Sequence, residues 1–279
     1  MVPGSLTEST PALLAPPLCV PLIRIEQLRV TYALKNGAPK RVLDGIDLEI
    51  RSGEFISVIG QTGCGKSTLL RLVLGSELPT EGRVLVEGRE VLRPDRDRGY
   101  VPQKYSLFPD KTVIDNITFG LEVEEFSLLT RFTSRYYRRR RDFRSEALRQ
   151  LVRMGLCESD SAKYPDQLSG GMQQRVAIAQ ALVMRPKILL MDEAFSALDP
   201  GTRVGMQKLI REVWNETGTT VLFVTHNIAE AINLATRVIV LARTPAAESS
   251  RVALDLSTSE PEVAARIEQA TGHLRSDAS

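Results

Sequence analysis

Hydrophobic positions change period several times along the chain, and the changes divide it into elements. Ile23, Ile25, Leu28 and Val30 alternate loosely with polar residues, and Ile46, Leu48 and Ile50 alternate strictly. That pattern predicts two strands joined across a Gly-Pro-bearing loop at 37–40. Residues 55–59 read as a buried strand, and Leu69, Leu70, Leu72 and Val73 follow with helical spacing. A turn at 79–82 leads to a short strand at 84–86, and 83–98 mixes charge with further strand-like pieces. From 113 to 156 the period is helical, with Ile114, Ile117 and Leu121 on one face and Leu148, Leu151 and Met154 on another. Another helix is expected to run to about Met184, burying Val176, Ile178, Ala179 and Leu182. The continuous apolar runs at 188–191 and 220–224 have the form of strands covered on both faces of a parallel sheet. Val238 to Leu241 is expected to be the last strand, with 244 onward polar except for a short helix at 260–274. Residues 1–20, rich in Pro, Ser and Thr and without a period, are expected to form a mobile tail. The sum is an α/β pattern interrupted by a helical insert.

Composition narrows this only slightly. At 279 residues, 43% hydrophobic and 25% charged, the chain suits one large domain or two modest ones with an ordinary core. A net charge of +2 excludes global attraction to nucleic acid or to an anionic membrane, so any electrostatic partner must meet a local patch. Cys19, Cys64 and Cys157 are odd in number and widely spaced, with no C-x-x-C, which argues against a disulfide framework or zinc site and for a reducing compartment. No run approaches 18 apolar residues, and the apolar stretch at 11–21 is broken by four prolines with no basic residue before it. It reads as neither a signal peptide nor a membrane span. Work at a membrane would need recruitment by another chain.

The chemistry concentrates at four places. Gly60-Gln61-Thr62-Gly63-Cys64-Gly65-Lys66-Ser67-Thr68 fits G-x-x-x-x-G-K-[ST] between a strand and a helix. Its glycines let backbone N–H groups converge on a phosphate, the helix N-terminus adds its positive dipole end, Lys66 reaches the outer phosphates and Ser67 is placed for Mg²⁺. Leu168-Ser169-Gly170-Gly171-Met172-Gln173 opens the next helix and makes a second anion site. Asp192 and Glu193 follow the apolar run at 188–191, so one can hold Mg²⁺ while the other polarises water, their side chains pointing different ways by strand alternation. His226, one of two histidines, follows the 220–224 strand at the ligand edge of such folds, where a purely structural role is the competing reading. Tyr32 is either a base-stacking aromatic or a half-buried strand-end residue. Gln103 has nothing intrinsic that selects it.

One composition stands apart. Arg131, Arg135, Arg138, Arg139, Arg140, Arg141 and Arg144 are interleaved with Phe132, Tyr136, Tyr137 and Phe143, and only Asp142 opposes them. The segment reads as a solvated helix face, a contact for anionic headgroups or an acidic partner, or, least in keeping with the rest, a nucleic-acid surface.

Taken in order, these motifs resemble the nucleotide-binding subunit of ABC transporters over about 22–245. Gly60 to Thr68 resembles Walker A, Gln103 the Q-loop, Leu168 to Gln173 the signature, 188–193 the Walker B strand, Ser196-Ala197-Leu198-Asp199 the D-loop and His226 the switch histidine. The resemblance implies a P-loop NTPase fold with a mixed β-sheet core, an antiparallel β-subdomain and a helical signature subdomain at about 104–185, with an Arg-rich insertion at about 124–145 and a C-terminal tail at 246–279. It implies an ATPase using ATP and Mg²⁺. Tyr32, Gly60, Gly63, Cys64, Gly65, Lys66, Ser67, Thr68 and Gln103 would bind ATP. Ser67, Gln103 and Asp192 would serve the metal, and Glu193, His226 and Lys66 catalysis. Ser169, Gly170, Gly171 and Asp199 would reach the nucleotide of a second copy. The implied partners are membrane permease subunits, a second ATP-binding subunit, most simply an identical one, and a solute-binding protein, without nucleic acid, at the cytoplasmic face of the membrane. Within the family the motifs look most like nitrate, sulfonate and taurine importers, with quaternary-amine and glycine-betaine importers second; a soluble non-transport ABC ATPase and an ATP-binding regulatory module are rivals. Ala194 stands where many relatives have proline, and the spacing from Gln103 to Ser169 is longer than usual by on the order of ten residues, a surplus that coincides with the arginines and suits a surface connection.

Overall fold

A computed structural model of the chain describes residues 20–33, 38–104, 106–127, 130, 133–196, 198–244 and 249–272. All but Val20 of the expected tail at 1–20, the loop residues 34–37, Arg131, Phe132, Ala197 and the end of the expected C-terminal helix lie outside them.

The elements in chain order are β1 (Ile23–Ala33), β2 (Pro39–Ile50), β3 (Phe55–Gly60), α1 (Lys66–Leu74), β4 (Glu81–Val86), β5 (Arg89–Glu90), β6 (Arg98–Val101), α2 (Val113–Glu125) and α3 (Ser134–Arg153). Then follow α4 (Gly170–Leu182), β7 (Ile188–Asp192), α5 (Pro200–Thr217), β8 (Thr220–Val224), α6 (Ile228–Leu234), β9 (Arg237–Thr244), β10 (Ser249–Ser257) and α7 (Val263–Gly272). The strands form one sheet in the order β5-β4-β1-β2-β10-β9-β3-β8-β7-β6. From β9 to β6 the neighbours are parallel, whereas β1, β2, β4 and β5 pair antiparallel. This is the mixed sheet with an antiparallel portion that the motifs imply.

Period-two alternation in the central strands assigns each face to a different set of helices. Phe55, Ile59, Leu189, Met191, Val221, Phe223, Val238 and Val240 share a core with α4 (Val176, Ile178, Leu182) and α5 (Met206, Ile210, Val213). Ile56, Val58, Ile188, Leu190, Leu222, Val224, Ile239 and Leu241 share the other core with α1 (Leu69, Leu70, Leu72, Val73) and strands β1 and β2. Burying each such side chain contributes roughly 1.5–3 kcal/mol, so both surfaces of the strands are committed.

Register then positions the chemistry. Val58 pairs with Val224, Asp192 with Val224 and Val101 with Met191, so β3, β8, β7 and β6 end at one level. The residues that follow them, the glycine loop, His226, Glu193 and Gln103, emerge at one sheet edge, where α/β folds place ligands.

Three expectations need correction. The helical insert is two helices, broken after Glu125 where Phe126 turns extended. Tyr32 lies inside β1, not beyond it. Val238 to Leu241 is not the last strand: β10, in the stretch after 244, pairs antiparallel with β9 and touches β2 at Ser250–Leu43, while the expected short helix is present as α7 and buries Val263 and Ile267 in the core of the α4 face. Asp44 on β2 fastens this edge, accepting from Arg251 on β10 at 2.6 Å and from Arg29 at 3.2 Å. Those guanidiniums, Arg251 first, hold the Asp44 carboxyl below the usual carboxylate range against the opposing effect of burial.

Candidate nucleotide site

The glycine loop is tied off by its own lysine. The Lys66 ammonium donates to the carbonyls of Gly60 and Gln61 at 2.9 and 3.0 Å, and its side chain is buried. Gly65, with φ of 95°, is the N-cap of α1, a left-handed conformation that favours glycine. A Cβ there would lie 2.6 Å from Leu43, so the site needs glycine for space as well. α1 is closed at its other end by Gly75, whose N–H donates to Arg71 and Leu72. The Cys64 side chain is buried among the core residues beside β3 rather than turned to the cleft, and burial pushes its thiol pKa up.

A cleft of about 580 Å³ runs along this edge, lined by Tyr32, Val42, Thr62, Gly63, Gly65, Lys66, Ser67, Thr68, Gln103, Glu193 and His226. From its lining the Ser67 hydroxyl donates to Oδ1 of the buried Asp192 at 2.9 Å, joining the start of α1 to the end of β7. The Tyr100 hydroxyl points at Asp192 Oδ2 at 3.4 Å; burial, then the Asp192 charge, push its pKa up to about 12, so it stays a donor at all ordinary pH. The sequence offered no role for Tyr100. Only its position one strand over from Asp192, invisible without the β6–β7 register, supplies one.

Glu193 leaves the strand at φ of 46°, sparsely populated for a residue with a Cβ, and its N–H is held by Val224 at 3.0 Å. This turn, more than strand alternation, separates it from Asp192. Its carboxylate accepts from Gln103 Nε2 at 3.0 Å and lies 3.6 Å from His226 Nδ1. His226 sits between buried Thr225, whose hydroxyl donates to Glu230, and Asn227, which caps α6 by accepting from Glu230 N at 3.1 Å. Glu230 also accepts from Gln207 at 2.9 Å. That network, which sequence reasoning missed, braces the histidine.

Tyr32 is bound at its phenol end. Its hydroxyl donates to Glu77 and lies 3.3 Å from Thr68 Oγ1, while Arg71 donates to Glu77 at 3.0 Å and to Thr68 at 3.2 Å.

The second anion site lies elsewhere. Ser169 is the exposed N-cap of α4 and accepts from Met172 N at 3.3 Å, and a Cβ on Gly171 would approach Thr202 of α5 to 2.8 Å. Asp199 caps α5, accepting from Thr202 N at 3.0 Å. Hydrogen bonds from Thr202 hold its carboxyl below the usual carboxylate range. None of Ser169, Gly170, Gly171 or Asp199 lines the cleft.

The ABC transporter family matches residues 43–196, from within β2 to the turn after Glu193. The chain belongs to the ABC transporter family. Among its relatives are the taurine import ATP-binding protein of Rhizobium johnstonii, 40% identical over 234 residues (84% of this chain and 84% of the relative), and the nitrate import ATP-binding protein of Synechocystis, 40% identical over 239 residues (85% and 84%). An ATP-binding cassette solved as a dimeric, post-hydrolysis state bound to ADP and Pi superposes with a TM-score of 0.72 at 30% identity, covering 85% of this chain and 99% of that one. The protein is accordingly an ABC ATPase with an α/β head.

Proposed function

We propose that this chain is the ATP-hydrolysing subunit of a bacterial ABC importer, powering uptake of a small solute of the nitrate, sulfonate or taurine type through a separate permease. It works as a pair of heads, most simply identical, on the cytoplasmic face of the membrane, with a solute-binding protein delivering cargo. Relatives whose names specify taurine and nitrate import support the cargo class. Among the described residues no helix is long and apolar enough to cross a membrane, in keeping with a permease made of other chains.

The observation that carries the reading is the convergence, in one cleft, of the glycine loop, the Ser67–Asp192 pair and the Gln103–Glu193–His226 cluster. Gly63, Gly65 and Thr68 line a cradle for phosphates, and Lys66 exchanges the carbonyls of Gly60 and Gln61 for phosphate oxygens. A hydroxyl and a carboxylate in contact form a hard oxygen donor set, which suits Mg²⁺; Ser67 and Asp192 would hold it, with Gln103 nearby. Bound there, Mg²⁺ neutralises charge on the phosphates. Glu193 orients the attacking water, with Gln103 and His226 fixing its carboxylate, and Tyr32 stacks on the adenine. Phosphoryl transfer needs little covalent help, so positioning and charge carry the rate. The Ser169–Gly171 start of α4 and Asp199 serve the nucleotide of a second copy; their position outside this chain's own cleft supports that reading.

Replacing Glu193 with Gln keeps the shape and removes the base. Turnover is expected to fall by at least about 100-fold while ATP binding persists and ATP-bound dimers accumulate, read by steady-state hydrolysis and size-exclusion chromatography. Hydrolysis at the wild-type rate in that variant would remove Glu193 from the mechanism.

A further inference from the structure

The arginine run on α3 divides into two populations. One is structural. Arg139 donates to Glu125 at 2.8 Å, Arg140 to Asp115 and Glu122 at 3.1 and 3.2 Å, and Arg144 reaches Asp115 at 3.4 Å, so these side chains rivet α3 to α2. Beneath them Tyr136, Phe143 and Phe126 form a small separate core. The other population takes little part in this. Arg138 and Arg141 are exposed and have no carboxylate within 4.0 Å among the described residues. Arg135 is 77% exposed and meets Glu125 only at 3.6 Å, and Tyr137 between them is 61% exposed. At 3.6 residues per turn these four occupy an arc of about 160°. The arc contains one acid, Asp142, which already faces Arg139 at 3.6 Å. α2 has spent its facing acids on the other population.

We infer that this ridge of Arg135, Tyr137, Arg138 and Arg141 is a docking surface for anionic phospholipid headgroups. The inference rests on the transporter reading, which puts the chain beside a bilayer. Guanidiniums bind phosphate in a bidentate manner, and a tyrosine among basic residues suits the headgroup level, apolar body and polar tip together. A nucleic-acid strand would need a groove with several stacking rings; the ridge is a convex helix face with one. The sheet and the nucleotide cleft contribute nothing to it, so the contact is separable from catalysis.

The test uses the full chain with vesicles of phosphatidylcholine alone or with phosphatidylglycerol added, in a sedimentation assay. The expected result is binding to the phosphatidylglycerol vesicles only, weakening as salt rises. Arg138→Ala/Arg141→Ala should bind about 30-fold more weakly, with melting temperature and ATP hydrolysis unchanged. The inference is overturned if the wild-type chain ignores phosphatidylglycerol vesicles at low salt, if the double variant binds them equally well, or if a single-stranded RNA binds the ridge more tightly and displaces the vesicles. A failure of the transporter reading shows instead as a full chain that co-purifies with no multi-span membrane protein while its binding to phosphatidylglycerol vesicles persists.

Discussion

Tyr32 shows how much a single side chain depends on partners far away in sequence. Position alone left it between a stacking ring and a strand-end filler; the hydroxyl contacts to Glu77 and Thr68 fix the ring over the start of α1, next to the phosphate cradle. Removing only the hydroxyl, in Tyr32→Phe, leaves the stacking face but frees the ring. We expect KM for ATP to rise about five-fold with kcat unchanged, the loss of one net hydrogen bond. Glu77→Ala, which removes the acceptor, should do the same, and the double variant should be no worse than Glu77→Ala alone, since both remove one coupling. Tyr32→Ala, which removes the ring, should cost at least about ten-fold in affinity. Wild-type KM in Tyr32→Phe would refute the clamp, and wild-type affinity in Tyr32→Ala would refute the stacking itself. Glu193 is the opposite case: its identity was legible as a carboxylate closing a buried strand, but its left-handed backbone and its contacts to Gln103 and His226 depend on four strand ends meeting.

Among the elements, those with continuous apolar runs or strict alternation were read correctly, whereas β10, partly exposed along its length, was not. The runs at 55–59, 188–191 and 220–224 announced themselves because both their faces are buried. β10 carries a legible alternation at Val252, Leu254 and Leu256, but only Leu256 is fully buried of the three, and its neighbours are polar. Its place in the sheet comes from pairing with β9 and from the arginines around Asp44. Because the Asp44 pKa is depressed in the folded chain, the stability it supplies is present above the ordinary carboxylate pKa of about 3.9 and is lost as pH falls through its lower folded value. Asp44→Asn should therefore melt below wild type at pH 7, by an amount on the order of 1–2 kcal/mol in stability, and the gap should close as the pH drops below 3.9. Melting curves at pH 7 and at successively more acidic values decide this. A gap that persisted at the lowest pH would assign the loss to packing in place of charge.

At the scale of the whole molecule, the proposed function makes the glycine loop one wall of a site that a second copy completes. The glycine loop, Gln103, Glu193 and His226 line the cleft, while the Ser169 cap of α4 stands apart, exposed and ordered by its own hydrogen bond. No periodicity or spacing could have announced that separation; the likeness to ABC transporters implied it. The most direct measurement is hydrolysis and nucleotide binding by Ser169→Arg, alone and mixed with Lys66→Ala. The account predicts that Ser169→Arg binds ATP normally yet hydrolyses it at least about 100-fold more slowly, and that mixing the two inactive variants restores activity, because each hybrid dimer holds one site with both Lys66 and Ser169 intact. Wild-type hydrolysis by Ser169→Arg alone, or a mixture no more active than its parts, would contradict it.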